Sequence, residues 1–164
     1  MDPARPDTPS LKYAHIETER RFLVRAVPAG VQKVSDITDY YLDGTRLRLR
    51  AVTTDGATTY KLGHKVRLGA GPGSIAHTSI YLDDTEWALL RRLPARIVRK
   101  RRHHVRRDDI VVAIDEFADG TRVAEIDGGN ERPADPPAWL QVIREVTNDE
   151  DFTGGGRARP GQHN

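Results

Sequence analysis

The sequence predicts a mainly β (α+β) domain built on an eight-stranded antiparallel closed barrel with a few flanking helices. Eight segments rich in Val, Ile, Leu, Thr and Tyr recur between turn residues, at about 13–26, 34–42, 46–53, 58–66, 74–82, 96–106, 110–117 and 121–127. Asp-Gly pairs beginning at Asp43, Asp55 and Asp119 fall between neighbouring segments, where tight hairpins favour them, so the strands should run as an antiparallel meander. Charged residues repeat at a period of two: Glu17, Glu19 and Arg21; Arg46, Arg48 and Arg50; Lys100 and Arg102; Glu125 and Asp127. Successive strand side chains point to opposite faces, so each set occupies one face of its strand.

That last pattern is what favours a closed barrel over an ordinary sandwich. For any single set, a solvated strand face is the plain explanation. Taken together the signs are segregated, with three arginines on one strand and Glu125 with Asp127 on another, whereas a surface made for solubility mixes them. Three arginines in register repel each other unless an anion joins them. A barrel resolves the conflict if Leu47, Leu49, Ala124 and Ile126 point outward to covering elements while the charges line the lumen. Such a lumen suits a polyanion and its metal: guanidinium forks match phosphate oxygens, and carboxylates are the hard ligands that magnesium or manganese prefers.

The remaining elements follow in order. Residues 1–10 carry three prolines and little that is apolar, and the chain from 153 to 164 begins TGGG; both read as flexible tails around a domain spanning 11–152. Asp83 and Glu86 have capping-box spacing, and Trp87, Leu90 and Leu93 follow at helical spacing until Pro94. Asp135, Pro136 and Pro137 should open a second short helix that buries Trp139, Leu140 and Ile143.

Composition narrows the partners. The 164 residues suffice for one domain with a real core, and 26 basic against 24 acidic residues leave a net charge of only +2, so any attraction for polyanions must be local. No cysteine is present, which excludes disulfides and thiolate chemistry. Neither a signal peptide nor a membrane-length apolar run occurs, so a soluble cytoplasmic protein with no membrane partner is expected. The run RKRRHHVRR at 99–107 splits into two strand faces and lacks nearby aromatics to stack bases, so no specific nucleic acid is expected. The adjacent His103 and His104 diverge on a strand, and LGAGPGS at 68–74 reads as a hairpin loop, having neither GK[ST] nor a following helix. Outward apolar residues on a barrel make a homodimer an expectation.

The ordered motifs resemble a known family. IETERRFLV at 16–24 is similar to the opening ExExK strand of the CYTH superfamily, the triphosphate tunnel metalloenzymes. The likeness continues through YYL at 40–42, RLRLR at 46–50, YK at 60–61, KRR at 100–102, IDEF at 114–117, VAEID at 123–127 and EVTND at 145–149. The resemblance implies an eight-stranded tunnel that binds a triphosphate with Mg2+ or Mn2+ and hydrolyses it. Carried over by position, Glu17, Glu19, Glu125 and Asp127 would hold the metal, while Arg21, Arg46, Arg48, Arg50, Lys61 and Arg102 would cradle phosphate. Lys100 would help activate the attacking water, with Tyr41 as a helper.

Two departures stand out. Arg21 replaces the usual lysine, and AHTSIYLDD at 76–84 has no glutamate where the family commonly carries R-x-E-x-E. The expected function is metal-dependent triphosphate hydrolysis; the alternatives are a non-catalytic triphosphate or polyphosphate binder and, less favoured, an adenylate cyclase.

Overall fold

Eight strands close into an antiparallel barrel in the computed structural model, which describes residues 8–69 and 71–161. They are β1 (His15–Val24), β2 (Val31–Leu42), β3 (Leu47–Thr54), β4 (Ala57–Arg67), β5 (Ser74–Leu82), β6 (Ala95–Arg107), β7 (Ile110–Phe117) and β8 (Arg122–Asp127). Their order around the wall is β6-β2-β3-β4-β5-β1-β8-β7, and the β6–β7 pairing completes the ring. The Asp-Gly turns lie where the sequence put them. At Asp55-Gly56 both residues have positive φ, 50° and 80°, the twist that a two-residue hairpin needs and that glycine adopts without strain. Asp108 and Asp109 achieve the same left-handed pair between β6 and β7 without a glycine.

The apolar core lies outside the barrel, as the outward phase of Leu49, Ala124 and Ile126 requires. One outer cluster joins Phe22, Val24, Val112, Ile114, Ala124 and Ile126, covered by Trp139 and Leu140. Another joins Leu42, Leu49 and Ala95 beneath Trp87 of helix α1 (Asp84–Leu90). That helix starts as its capping signal specifies: the Glu86 amide donates to the Asp83 carboxylate at 2.8 Å. Trp87 stacks on Tyr60, 4.5 Å between centroids, and meets Tyr40 edge-on.

The second expected helix is absent, and the physical reason is an open strand edge. β5 pairs with β1 only as far as Thr18, leaving the same edge of β1 unpaired beyond it. After a single turn closed by the Leu140 amide on the Pro137 carbonyl, the chain extends as β9 (Val142–Glu145) and fills that edge opposite Phe22, Leu23 and Val24. Trp139 and Leu140 do pack inward as foreseen, whereas Ile143 is exposed.

The segment from 153 is not a tail throughout. Thr153 caps the short helix α2 (Gly154–Arg157), and β10 (Arg159–Pro160) pairs with the start of β6. Val146, Phe152 and Ala158 pack on Leu23, Val98, Phe117 and Val123, apolar residues of the inner wall, and so plug part of one barrel end. Residues 8–10 are exposed and irregular; the expected tails at 1–7 and 162–164 lie outside the described residues. Among the described residues no helix is long and apolar enough to cross a membrane.

Candidate functional site: a charged barrel lumen

A cavity of about 120 Å³ runs inside the barrel, lined by Glu17, Glu19, Arg21, Tyr41, Arg48, Arg50, Lys65, His77, Lys100, Arg102, Glu125 and Gly154. The strand phase inferred from the sequence therefore brings Glu17, Glu19, Arg21, Tyr41, Arg48, Arg50, Lys100, Arg102 and Glu125 together. Three expected residues stand apart. Arg46 is exposed at the outer mouth. Lys61 shares the inner phase but lies toward the opposite barrel end, its ammonium over the Tyr81 ring. Asp127 is exposed and accepts from the Gly129 amide at 2.8 Å, which shapes the turn after β8.

One side of the lumen neutralises itself. Asp39, fully buried on β2, accepts two hydrogen bonds from Arg50, at 2.6 and 2.8 Å. Asp115, buried on β7, accepts from Lys100 at 2.6 Å and from both sides of the Arg102 fork at 2.7 and 2.8 Å. Arg102 continues to Glu125 at 2.9 Å. Burial opposes ionisation of Asp39 and Asp115, yet the charges of Arg50 on the first and of Lys100 and Arg102 on the second hold both carboxyls well below the usual carboxylate range. The inference that the β3 arginines must await an outside anion is thus corrected: the protein supplies Asp39 for Arg50. Asp39 was not foreseen, because it meets Arg50 only through the β2–β3 register.

The other side is held by longer contacts. Arg48 is 5% exposed, its Nε is 3.8 Å from Asp39, and that Nε is buried without a hydrogen-bond partner. Lys65 lies 3.8 Å from Glu17, and Arg21 lies 3.4 Å from Glu19 and 3.9 Å from Glu125. Burial first, and then the nearby Arg48 charge, bring the Lys65 ammonium down to about 8. Lys65 and His77 were both missed. The signal was their phase, since Lys65 sits opposite His77 across the β4–β5 ladder and both face inward.

His77 stands on the strand where the glutamates were expected. Its Nδ1 is 2.7 Å from Glu17, while its Nε2 is buried and unpartnered. The His77 hydrogen bond and the Lys65 charge outweigh burial and hold the Glu17 carboxyl at about 2. Glu19 is different: burial and the neighbouring Glu125 charge push it up.

Among the described residues no three His, Cys, Asp or Glu side chains are grouped closely enough to hold an ion alone. Glu19 and Glu125 form a repelling pair, and two carboxylates leave coordination positions that phosphate oxygens and water would fill, so the donor set suits a hard divalent ion arriving with its ligand. The six lumen cations face five carboxylates, counting Asp39 and Asp115 behind Arg50 and Lys100. A near-neutral tunnel of this kind accommodates a highly charged anion best when a cation accompanies it.

The sequence matches no family model and no curated protein. Its fold has solved counterparts. A structure of the inorganic triphosphatase NE1496 aligns with a TM-score of 0.55 at 24% identity, covering 88% of this chain and 97% of that one. A second structure, described as the hypothetical protein NE1496, gives 0.55 at 25% identity over 87% and 97% of the two chains. The PH1819 protein of Pyrococcus horikoshii gives 0.53 at 18% identity, covering 74% and 80%. The fold is thus shared with these solved structures, an eight-stranded antiparallel barrel around a charged lumen. Within this barrel Arg48 and Lys65 have no carboxylate closer than 3.8 Å, and Arg21 is held mainly by the Thr147 and Pro72 carbonyls at 3.1 and 3.2 Å, whereas Arg50, Lys100 and Arg102 are tightly paired with Asp39 and Asp115.

Proposed function

We propose that this tunnel binds a triphosphate, inorganic tripolyphosphate or a related organic triphosphate, together with Mg2+ or Mn2+, and hydrolyses a phosphoanhydride bond. The observation that carries the reading is the buried, unpartnered Nε of Arg48 beside Lys65, in a narrow lumen that the carboxylates Glu19 and Glu125 also line. The likeness of fold to the inorganic triphosphatase NE1496 supports it.

In this reading Arg48, Lys65 and Arg21 hold phosphate oxygens, and Arg50 and Arg102, fixed by Asp39 and Asp115, set the positive potential behind them. Glu19 and Glu125 would hold the divalent ion. When bound, that ion neutralises phosphate charge and orients the phosphoryl group for in-line attack. Lys100 donates to Asp115, so it acts as a positioned ammonium near the reacting phosphate and not as the group that removes a proton from water. Tyr41, whose hydroxyl is pushed up to about 12 by burial and then by Asp39, stays a neutral hydrogen-bond donor. Phosphoryl transfer through a loose transition state needs mostly alignment and charge neutralisation, which matches a lumen without a poised base.

The direct assay is phosphate release from tripolyphosphate, thiamine triphosphate and ATP with Mg2+ or Mn2+. Wild type should release phosphate, and Glu19→Ala should reduce the rate at least about a hundredfold, the scale of losing one strong electrostatic contact to the transition state. Tight binding with no release from any of the three would replace hydrolysis with a carrier role. Unchanged turnover in Glu19→Ala would remove this residue from the site.

A further inference from the structure

The lumen opens at one end into a mouth of about 230 Å³, and Arg21, Tyr41, Arg48, Lys65 and Gly154 line both. The two spaces differ in charge. Carboxylates of Glu17, Glu19 and Glu125 face the lumen. The mouth is walled by the cations Arg21, Arg46, Arg48, Lys65, Arg67 and Arg96, and among the described residues no carboxylate lines it.

These cations are not equally engaged. Arg67 is joined to Glu150 at 2.7 Å from outside the cavity, and Arg96 donates to the Gly155 carbonyl at 2.9 Å. The Arg46 guanidinium has no hydrogen-bond or ion-pair partner among the described residues and is exposed just before β3. Arg48, more than nine-tenths buried, keeps its unpartnered Nε where the two spaces meet. A lone surface arginine needs no ligand. A concave, carboxylate-free rim that leads to the buried Arg48 guanidinium, whose Nε has no partner, attracts anions into the tunnel and holds them at its entrance.

A ligand of three phosphoryl groups held by Arg48 and Lys65, with the divalent ion of the proposed site between it and the inner carboxylates, would leave that rim unmatched. Resting on the proposed triphosphate site, we propose that the mouth takes the fourth and later phosphoryl groups of a linear inorganic polyphosphate, so that chains longer than tripolyphosphate are the preferred ligands. An organic head group finds little there. Tyr41 is the mouth's one aromatic lining residue among those described, and Gly154 and Gly155 pack against its ring.

Calorimetric titration of the full chain in Mg2+ compares tripolyphosphate, a linear polyphosphate of about ten units, and ATP. Wild type should bind the long chain about tenfold or more tightly than tripolyphosphate, and Arg46→Ala and Arg46→Glu should bring that ratio toward one, the charge reversal more so. The ratio cancels any general loss of binding, and the exposed position of Arg46 leaves folding intact, which a thermal midpoint verifies. Equal affinity for three and ten phosphates overturns this inference and leaves the triphosphate site standing. So does a length preference that survives Arg46→Glu, which would be statistical and not a property of the mouth, or ATP binding more tightly than the long chain. Failure of all three ligands to bind removes the triphosphate site itself, and the inference with it.

Discussion

The two walls of the lumen carry similar charges and do different work. On one side Arg50, Lys100 and Arg102 are locked by Asp39 of β2 and Asp115 of β7 at 2.6–2.8 Å. On the other side Arg21, Arg48 and Lys65 reach their nearest carboxylates only at 3.4–3.8 Å. Buried ion pairs offset their desolvation only when the geometry is close and hydrogen-bonded, so the first wall is internally complete. The second retains capacity for a ligand. The difference teaches that a motif of alternating arginines does not by itself mark ligand contacts, since Arg48 and Arg50 share a strand and a face yet differ in what satisfies them.

The largest effect expected from this contrast is on stability. Asp39→Ala strands Arg50 in the lumen and should cost about 3–5 kcal/mol, read as a lower urea midpoint at unchanged m-value. If Asp39→Ala is near neutral, the walls are not distinct. Next, Arg48→Ala leaves the Asp39–Arg50 pair in place, so it should weaken tripolyphosphate binding about 10–100-fold, the range for a hydrogen bond to a charged group, while moving the urea midpoint less than Asp39→Ala does. A variant that unfolds as readily as Asp39→Ala would assign Arg48 to the support wall.

Acid sharpens the same comparison. Asp39 and Asp115 have carboxyls lower in the folded protein than in the unfolded chain, so their stabilisation is full above the unfolded value near 4 and is lost as pH falls toward their depressed folded values. Urea midpoints should stay level from about pH 7 to 5 and then fall steadily on acidification; the fall should shrink in Asp115→Asn relative to its own neutral-pH stability. A smaller effect is expected at the plug. A methyl group on Gly154 would collide with the Tyr41 hydroxyl, so Gly154→Ala should cost about 1–3 kcal/mol in thermal unfolding.

Much of the outer architecture was legible in the sequence because it is written in local periods. The alternation that sent Leu49 and Ala124 outward, the Asp-Gly turns, and the Asp83 cap of α1 all depend on residues a few positions apart. The lumen was legible for strands whose charges repeat at i, i+2. Lys65 and His77 were not, since Gly63 interrupts the charge alternation between Lys61 and Lys65 on β4, and His77 is the one titratable group between Ile75 and Ser79 in the inner phase of β5. Asp39 was hidden for a different reason: the one acidic residue in the inner phase of β2 shows its role only when β3 is paired beside it. β9 and the plug depend on tertiary vacancies, an unpaired edge of β1 and a partly open barrel end. The TGGG that reads as a tail is a backbone packing device, for side chains at Gly154 and Gly156 would strike Tyr41 and the Glu150 carbonyl.

The most direct test is a calorimetric titration of tripolyphosphate into wild type and Arg48→Ala, each with and without Mg2+. Strong binding is expected only in wild type with the cation present, because a nearly balanced lumen with one loosely paired wall requires both the Arg48 guanidinium and a counter-charge. Equal affinity in Mg2+-free buffer, or in Arg48→Ala with Mg2+, would contradict it.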